Sequence, residues 1–126
     1  MASYIPTIEV ANNAKMALKV RASKPSSQQG MTSIGIGRAR DLSNRRPISE
    51  DTVRRMKAYF DRHEVDKQGS TWNDKGKGWQ AWHGWGGDAG RSWANKIVER
   101  LNKAEDRNYN DITDDSSYNN GYIGLY

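Results

Sequence analysis

Apolar residues recur at helical spacing in several stretches of the chain, and polar segments rich in Gly, Pro and Ser separate them. In IEVANNAKMALKVRA, the residues Val10, Ala14, Ala17 and Leu18 fall on one face, and Pro6 just ahead suits a first turn, so a helix is predicted there. The polar run at about 23–33, with Pro25, serines, glutamines and Gly30, has no period and reads as a linker. A short second helix follows in IGRARDLSNRRP, where Ala39 and Leu42 sit three apart between Gly37 and Pro47. The third helix is the clearest. Ser49 is a good N-cap, Glu50 and Asp51 favour the positive end of the helix dipole, and Val53, Met56, Phe60 and His63 recur at spacings of three and four.

All five tryptophans lie between Trp72 and Trp93, in a chain with one Phe. Trp79, Trp82 and Trp85 repeat every three residues, which suits a short helix or a 3-10 turn stopped by Gly86-Gly87. A new helix then starts with Asp88 as its expected N-cap and carries a wide stripe of Trp93, Ala94, Ile97, Val98, Leu101 and Ala104. Gly84, Gly86, Gly87 and Gly90 let the backbone turn and let helices close around bulky indoles. Most of the tryptophans are therefore expected in a core short of other large residues, with Trp72, among Ser, Thr, Asn and Asp, at the surface. The predicted fold is all-α: one domain of about four to five helices over residues 1–105. An acidic, Tyr-rich tail without periodicity, 106–126, is expected to stay flexible or extended.

Composition narrows the function classes. A chain of 126 residues with 35% apolar content can bury one modest core. The absence of Cys rules out disulfides, zinc-thiolate sites and a thiol nucleophile. No run approaches the roughly 18 apolar residues of a membrane span, and the first twenty residues lack the apolar stretch of a signal peptide, so no membrane partner is expected. The net charge of +5 is unevenly distributed. Residues 1–103 hold 19 Lys and Arg against 10 Asp and Glu, whereas residues 104–126 hold 1 against 5. Such a body attracts polyanions, and a tail of opposite sign can screen it or reach another partner.

Two features carry candidate chemistry. Leu42, Ile48, Ser49, Thr52 and Val53 follow the order of a helix-turn-helix, in which a small apolar set locks two helices so that the second can enter a major groove. Arg46 stands where that pattern wants an apolar residue, Pro47 replaces the turn glycine, and Glu50 and Asp51 would lie nearest the bases. The second feature is basic. Arg38, Arg40, Arg45, Arg46, Arg54, Arg55 and Lys57 can form a phosphate-facing patch with little sequence preference; the alternative is a solvated face whose arginines pair with Asp41, Glu50 and Asp51. Catalysis finds little support. His63 and His83 each sit in settings typical of packed histidines, the cluster of His63, Glu64 and Asp66 lacks further ligands at metal-site spacing, and the glycine runs match no phosphate-loop or dinucleotide pattern. No enzyme activity, metal or cofactor is expected. In the tail, Tyr118, Tyr122, Ile123, Leu125 and Tyr126 form a sticky end on a polar tether, suited to docking on a partner or a second copy.

The ordered set RARDL, TVRRM, RHEVDK and WGGDAG resembles a small module encoded in tailed-bacteriophage genomes, often near or fused to head-assembly genes such as portal or prohead-protease genes. The resemblance covers about residues 8 to 100 and implies a phage or prophage origin. It carries no catalytic residues to transfer. Two functions are expected from these observations: a non-enzymatic protein that binds nucleic acid through its basic helical face, or a virion or head-assembly protein that contacts capsid, portal or a sister subunit through its aromatic tail. The corresponding locations are the host cytoplasm during infection and the virion.

Overall fold

The computed structural model describes residues 2–115, with side chains through Glu105. Tyr118, Tyr122, Ile123, Leu125 and Tyr126 lie outside the described residues. The described residues form five α-helices and one small sheet, so the all-α expectation holds apart from that sheet. The elements are β1 (Ser3–Tyr4), α1 (Ile8–Ser23), α2 (Ser33–Ser43), β2 (Ile48–Ser49), α3 (Glu50–His63), α4 (Lys77–Gly84) and α5 (Gly87–Asp115). Single 3-10 turns at Ser26–Gln28 and Glu64–Gln68 lie between them.

Three helices start on hydroxyl caps. The Val10 amide donates to Thr7 Oγ1 at 3.2 Å, Gly35 to Thr32 Oγ1 at 3.1 Å, and Thr52 to Ser49 Oγ at 3.2 Å, each satisfying an amide that a helix start leaves without a partner. The buried face of α1 is mostly alanine: Val10, Ala11, Ala14 and Ala17. Small side chains let neighbouring backbones approach, and α1 accordingly packs on α2, α4 and α5. On the other side of the core α3 packs on α5. Between them Leu42, Val53, Met56, Phe60 and Trp82 are closed off from solvent, and Ile97 and Val98 of α5 complete the core.

The sheet is a clasp. Ser3 pairs with Ser49 and Tyr4 with Ile48, antiparallel, which ties the chain start to the residues ahead of α3. Arg45 reinforces it by donating from Nε to the Pro6 carbonyl at 2.8 Å. Leu42, Ile48 and Val53 do meet in the core, as the helix-turn-helix order requires. The connection between α2 and α3, however, contains a paired strand and a left-handed Arg45 (φ 51°), and each helix makes its main contacts elsewhere, α2 on α1 and α3 on α5.

The polar stretch before α2 is held by one buried side chain. Gln80 accepts from the Gly30 amide at 2.7 Å and donates to the carbonyls of Gln28 and Lys75 at 3.1 and 3.0 Å. Arg21 adds a bond to the Gly30 carbonyl at 2.7 Å.

The tryptophan stretch forms α4 and the corner into α5. Trp82 is the centre of the core at 1% exposed, Trp79 is buried, and Trp85 and Trp93 are half-buried against the same core. Trp72, expected at the surface, is also half-buried, edge-on to Trp82 with ring centres 6.3 Å apart, because its polar neighbours face water while the ring covers the core. At the corner Gly86 and Gly87 take φ of 109° and 66°, and Asn13 Nδ2 donates to the Gly86 carbonyl at 2.8 Å.

Asp88, expected as an N-cap, lies inside the first turn of α5, which begins at Gly87. Its carboxylate accepts from Trp82 Nε1 at 2.9 Å and Lys67 Nζ at 2.8 Å. A buried indole needs an acceptor, and this one supplies it. At its other end, α5 continues as helix past residue 105 to Asp115, beyond the predicted end of the helical domain. Extension from a helix already anchored by Ala94, Ile97 and Val98 needs no new nucleus.

Candidate nucleic-acid interface

The seven basic residues singled out in the sequence do not share one face. Four of them are ion-paired at the surface: Arg46 with Asp41 at 2.9 Å, Arg54 with Glu50 at 3.3 Å and Glu105 at 3.1 Å, Arg55 with Asp51 at 3.2 Å, and Lys57 with Asp61 at 2.7 Å. Three of these are i,i+4 pairs along α3: Glu50 and Asp51 stand one turn before their arginines, and Asp61 one turn after Lys57. Arg54 reaches toward Asn102 and Glu105 at the far part of α5, whereas Arg55 lies close enough to Arg38 for the two charges to repel. Arg45 is spent on the Pro6 carbonyl.

On α2, Gly35, Ala39 and Leu42 are buried, so Arg38 flanks the core-facing side and Arg40, two positions on, points outward. Arg38 is half-buried, with its guanidinium carbon 5.1 Å from the centre of the Trp85 ring and its Nη1 without a hydrogen-bond partner among the described residues. Burial pulls Arg38 below its ordinary pKa, the Arg55 charge adds to this, and Asp41 and Asp51 oppose it.

Trp85 leads into a groove of about 590 Å³ that the sequence reading did not anticipate. Residues 29–32 and the first turn of α2 form one side, and α3, its following turn and α4 form the other. Arg62 and Lys77 lie on this groove, both exposed and neither within ion-pair distance of a carboxylate among the described residues. The capped N-terminus of α2 adds positive backbone potential to the same rim. Arg62 and Lys77 were legible as charges, but nothing local in the sequence shows that the chain folds back to bring them to one cavity.

The two histidines differ. His83 is stacked on Trp79 with ring centres 4.1 Å apart and donates from Nδ1 to the Trp79 carbonyl at 2.9 Å; burial lowers its pKa, against the raising effect of that bond and of Asp88. His63 is half-exposed on the groove, stacked outside Tyr59, with Nδ1 3.1 Å from Asp66 Oδ2. Among the described residues no group of three or more His, Asp or Glu could hold a metal ion, and no helix is long and apolar enough to cross a membrane.

A second groove, about 560 Å³, runs between β1 and α5 past Tyr4, Trp93, Lys96 and Arg100, with Glu9 on its lip. No protein-family model, no curated protein and no solved structure matches the chain.

Proposed function

We propose that this chain is a non-enzymatic nucleic-acid-binding protein of phage origin that holds its ligand chiefly through phosphate contacts. The observation that carries this reading is a pair of exposed cations on one groove, Arg62 and Lys77, with no carboxylate within ion-pair distance among the described residues, backed by Arg38 behind the Trp85 ring of its wall. Arg54, Arg55 and Lys57 instead have carboxylates within 3.3 Å. Exposed ion pairs are worth about 0–1 kcal/mol, so phosphate can displace some of them, but at the cost of leaving an acid beside the phosphate. The reading therefore moves the interface from the outer face of α3 to the α2–α4 groove. The resemblance to a phage module and the positive body, 19 Lys and Arg against 10 acids over residues 1–103, support it.

Fluorescence anisotropy with labelled duplex and single-stranded DNA across a salt series tests it. Binding that weakens steeply with salt is expected. Absence of salt-dependent binding to both forms at micromolar protein contradicts it.

A head-assembly role through the tail is the second reading, favoured by the acidic stretch and the terminal YIGLY sequence. Removing residues 108–126 separates the two: DNA binding retained or strengthened agrees with the first, and loss of incorporation into phage particles agrees with the second.

A further inference from the structure

One wall of the α2–α4 groove is a column of planar groups. The Arg38 guanidinium lies against Trp85, Trp85 stacks on Tyr59 at 4.5 Å with ring planes 5° apart, and Tyr59 stacks on His63 at 4.6 Å and 26°. Two rings stacked on one ring this closely must take its opposite faces, so Tyr59 is the enclosed member and is only 7% exposed. His63, whose side chain is 37% exposed, is the outermost ring. Asp66 holds it by the bond to Nδ1, and that bond engages the acid of this site. Beside the open end stand Arg62 and Lys77, with no carboxylate partner among the described residues.

A π-column ending in an accessible ring, next to two cations without a carboxylate partner among the described residues, fits a flat base with a phosphate attached; Arg62 also donates from Nε to His63 Nε2 at 3.4 Å, which ties the cation to the ring. The volume, about 590 Å³, is ample for one nucleotide. A base inside a duplex has both faces covered by its neighbours, so it could not extend the column; a base in a single strand can.

Building on the nucleic-acid reading above, we propose that the groove is a single-strand subsite, where one unpaired base stacks on His63 and its phosphate is held by Arg62 and Lys77. The substitution set His63→Ala and His63→Phe, measured by anisotropy on a short oligothymidine and on a duplex of the same length, tests it. His63→Ala is expected to weaken strand binding about tenfold, and His63→Phe, which keeps a stacking ring, to stay within about twofold of the unsubstituted protein. Duplex binding should be the same in all three proteins. In the unsubstituted protein, the His63 Cε1 proton signal should move upfield as oligothymidine is added, a readout that does not depend on any variant folding.

The inference is overturned by a His63→Ala protein that binds the strand normally, by equal losses in the two variants, or by a stationary Cε1 signal while the strand binds. If duplex and strand bind and only these His63 effects are missing, this subsite falls and the nucleic-acid reading stands. If the unsubstituted protein binds neither probe, both fall.

Discussion

At Gly90, the absence of a side chain decides whether the tryptophan corner can close. A Cβ there would stand 2.5 Å from the Trp85 carbonyl oxygen and 3.3 Å from Phe60, so neither backbone nor core could yield cheaply. Gly90→Ala should lower unfolding stability by about 2–3 kcal/mol in urea titrations. Gly37, in the middle of α2, has nothing within 4 Å of a built Cβ, and Gly37→Ala should raise stability by about 0.5–1 kcal/mol. Equal effects at the two positions would contradict this packing. Tyr59 makes a different point. Its hydroxyl is enclosed without a partner among the described residues, so Tyr59→Phe should leave stability at neutral pH unchanged or raise it by up to about 1 kcal/mol. Burial, chiefly, raises the Tyr59 pKa above its ordinary value of 10.0. The unfolded chain then loses this proton first, so stability drains away as pH rises through about 10 and above, and not below. Denaturation midpoints at pH 8 and pH 11 should diverge less in Tyr59→Phe than in the unsubstituted protein.

Among the elements, those whose signals are local could be read in the sequence. Ser49 caps α3 as its sequence says, Val53, Met56 and Phe60 take its buried side, and Gly86-Gly87 stops α4. Signals that depend on distant partners could not. Asp88 looks like a cap because it precedes an apolar stripe, but the indole of Trp82, six residues earlier and buried, competes for its carboxylate and wins. The polar run before α2 has no period, and what orders it is Gln80, fifty positions away from Gly30. Gln80→Leu keeps the bulk but strands the Gly30 amide and the carbonyls of Gln28 and Lys75. It should cost about 3 kcal/mol and speed hydrogen exchange at Gly30 before exchange in α3 changes. Uniform acceleration across all helices would contradict a local tether.

At the scale of the whole molecule, charge is the property that sequence and fold report differently. Seven basic residues close together in sequence read as one patch, but a helix turns its side chains through 100° per residue, and acids one turn before or after them pair with several. The cations on one cavity that have no carboxylate partner among the described residues come from separate elements, Arg62 from α3 and Lys77 from α4, and Arg38 of α2 lies behind the Trp85 ring of the cavity wall. The most direct test of that relocation compares the salt dependence of oligonucleotide affinity in three proteins: unsubstituted, Arg62→Ala/Lys77→Ala, and Arg54→Ala/Lys57→Ala. The account predicts that the first double variant binds more weakly, with a log–log salt slope shallower by about two, while the second keeps the unsubstituted slope to within about half a unit. A slope unchanged by removing Arg62 and Lys77, or lost by removing Arg54 and Lys57, would contradict it.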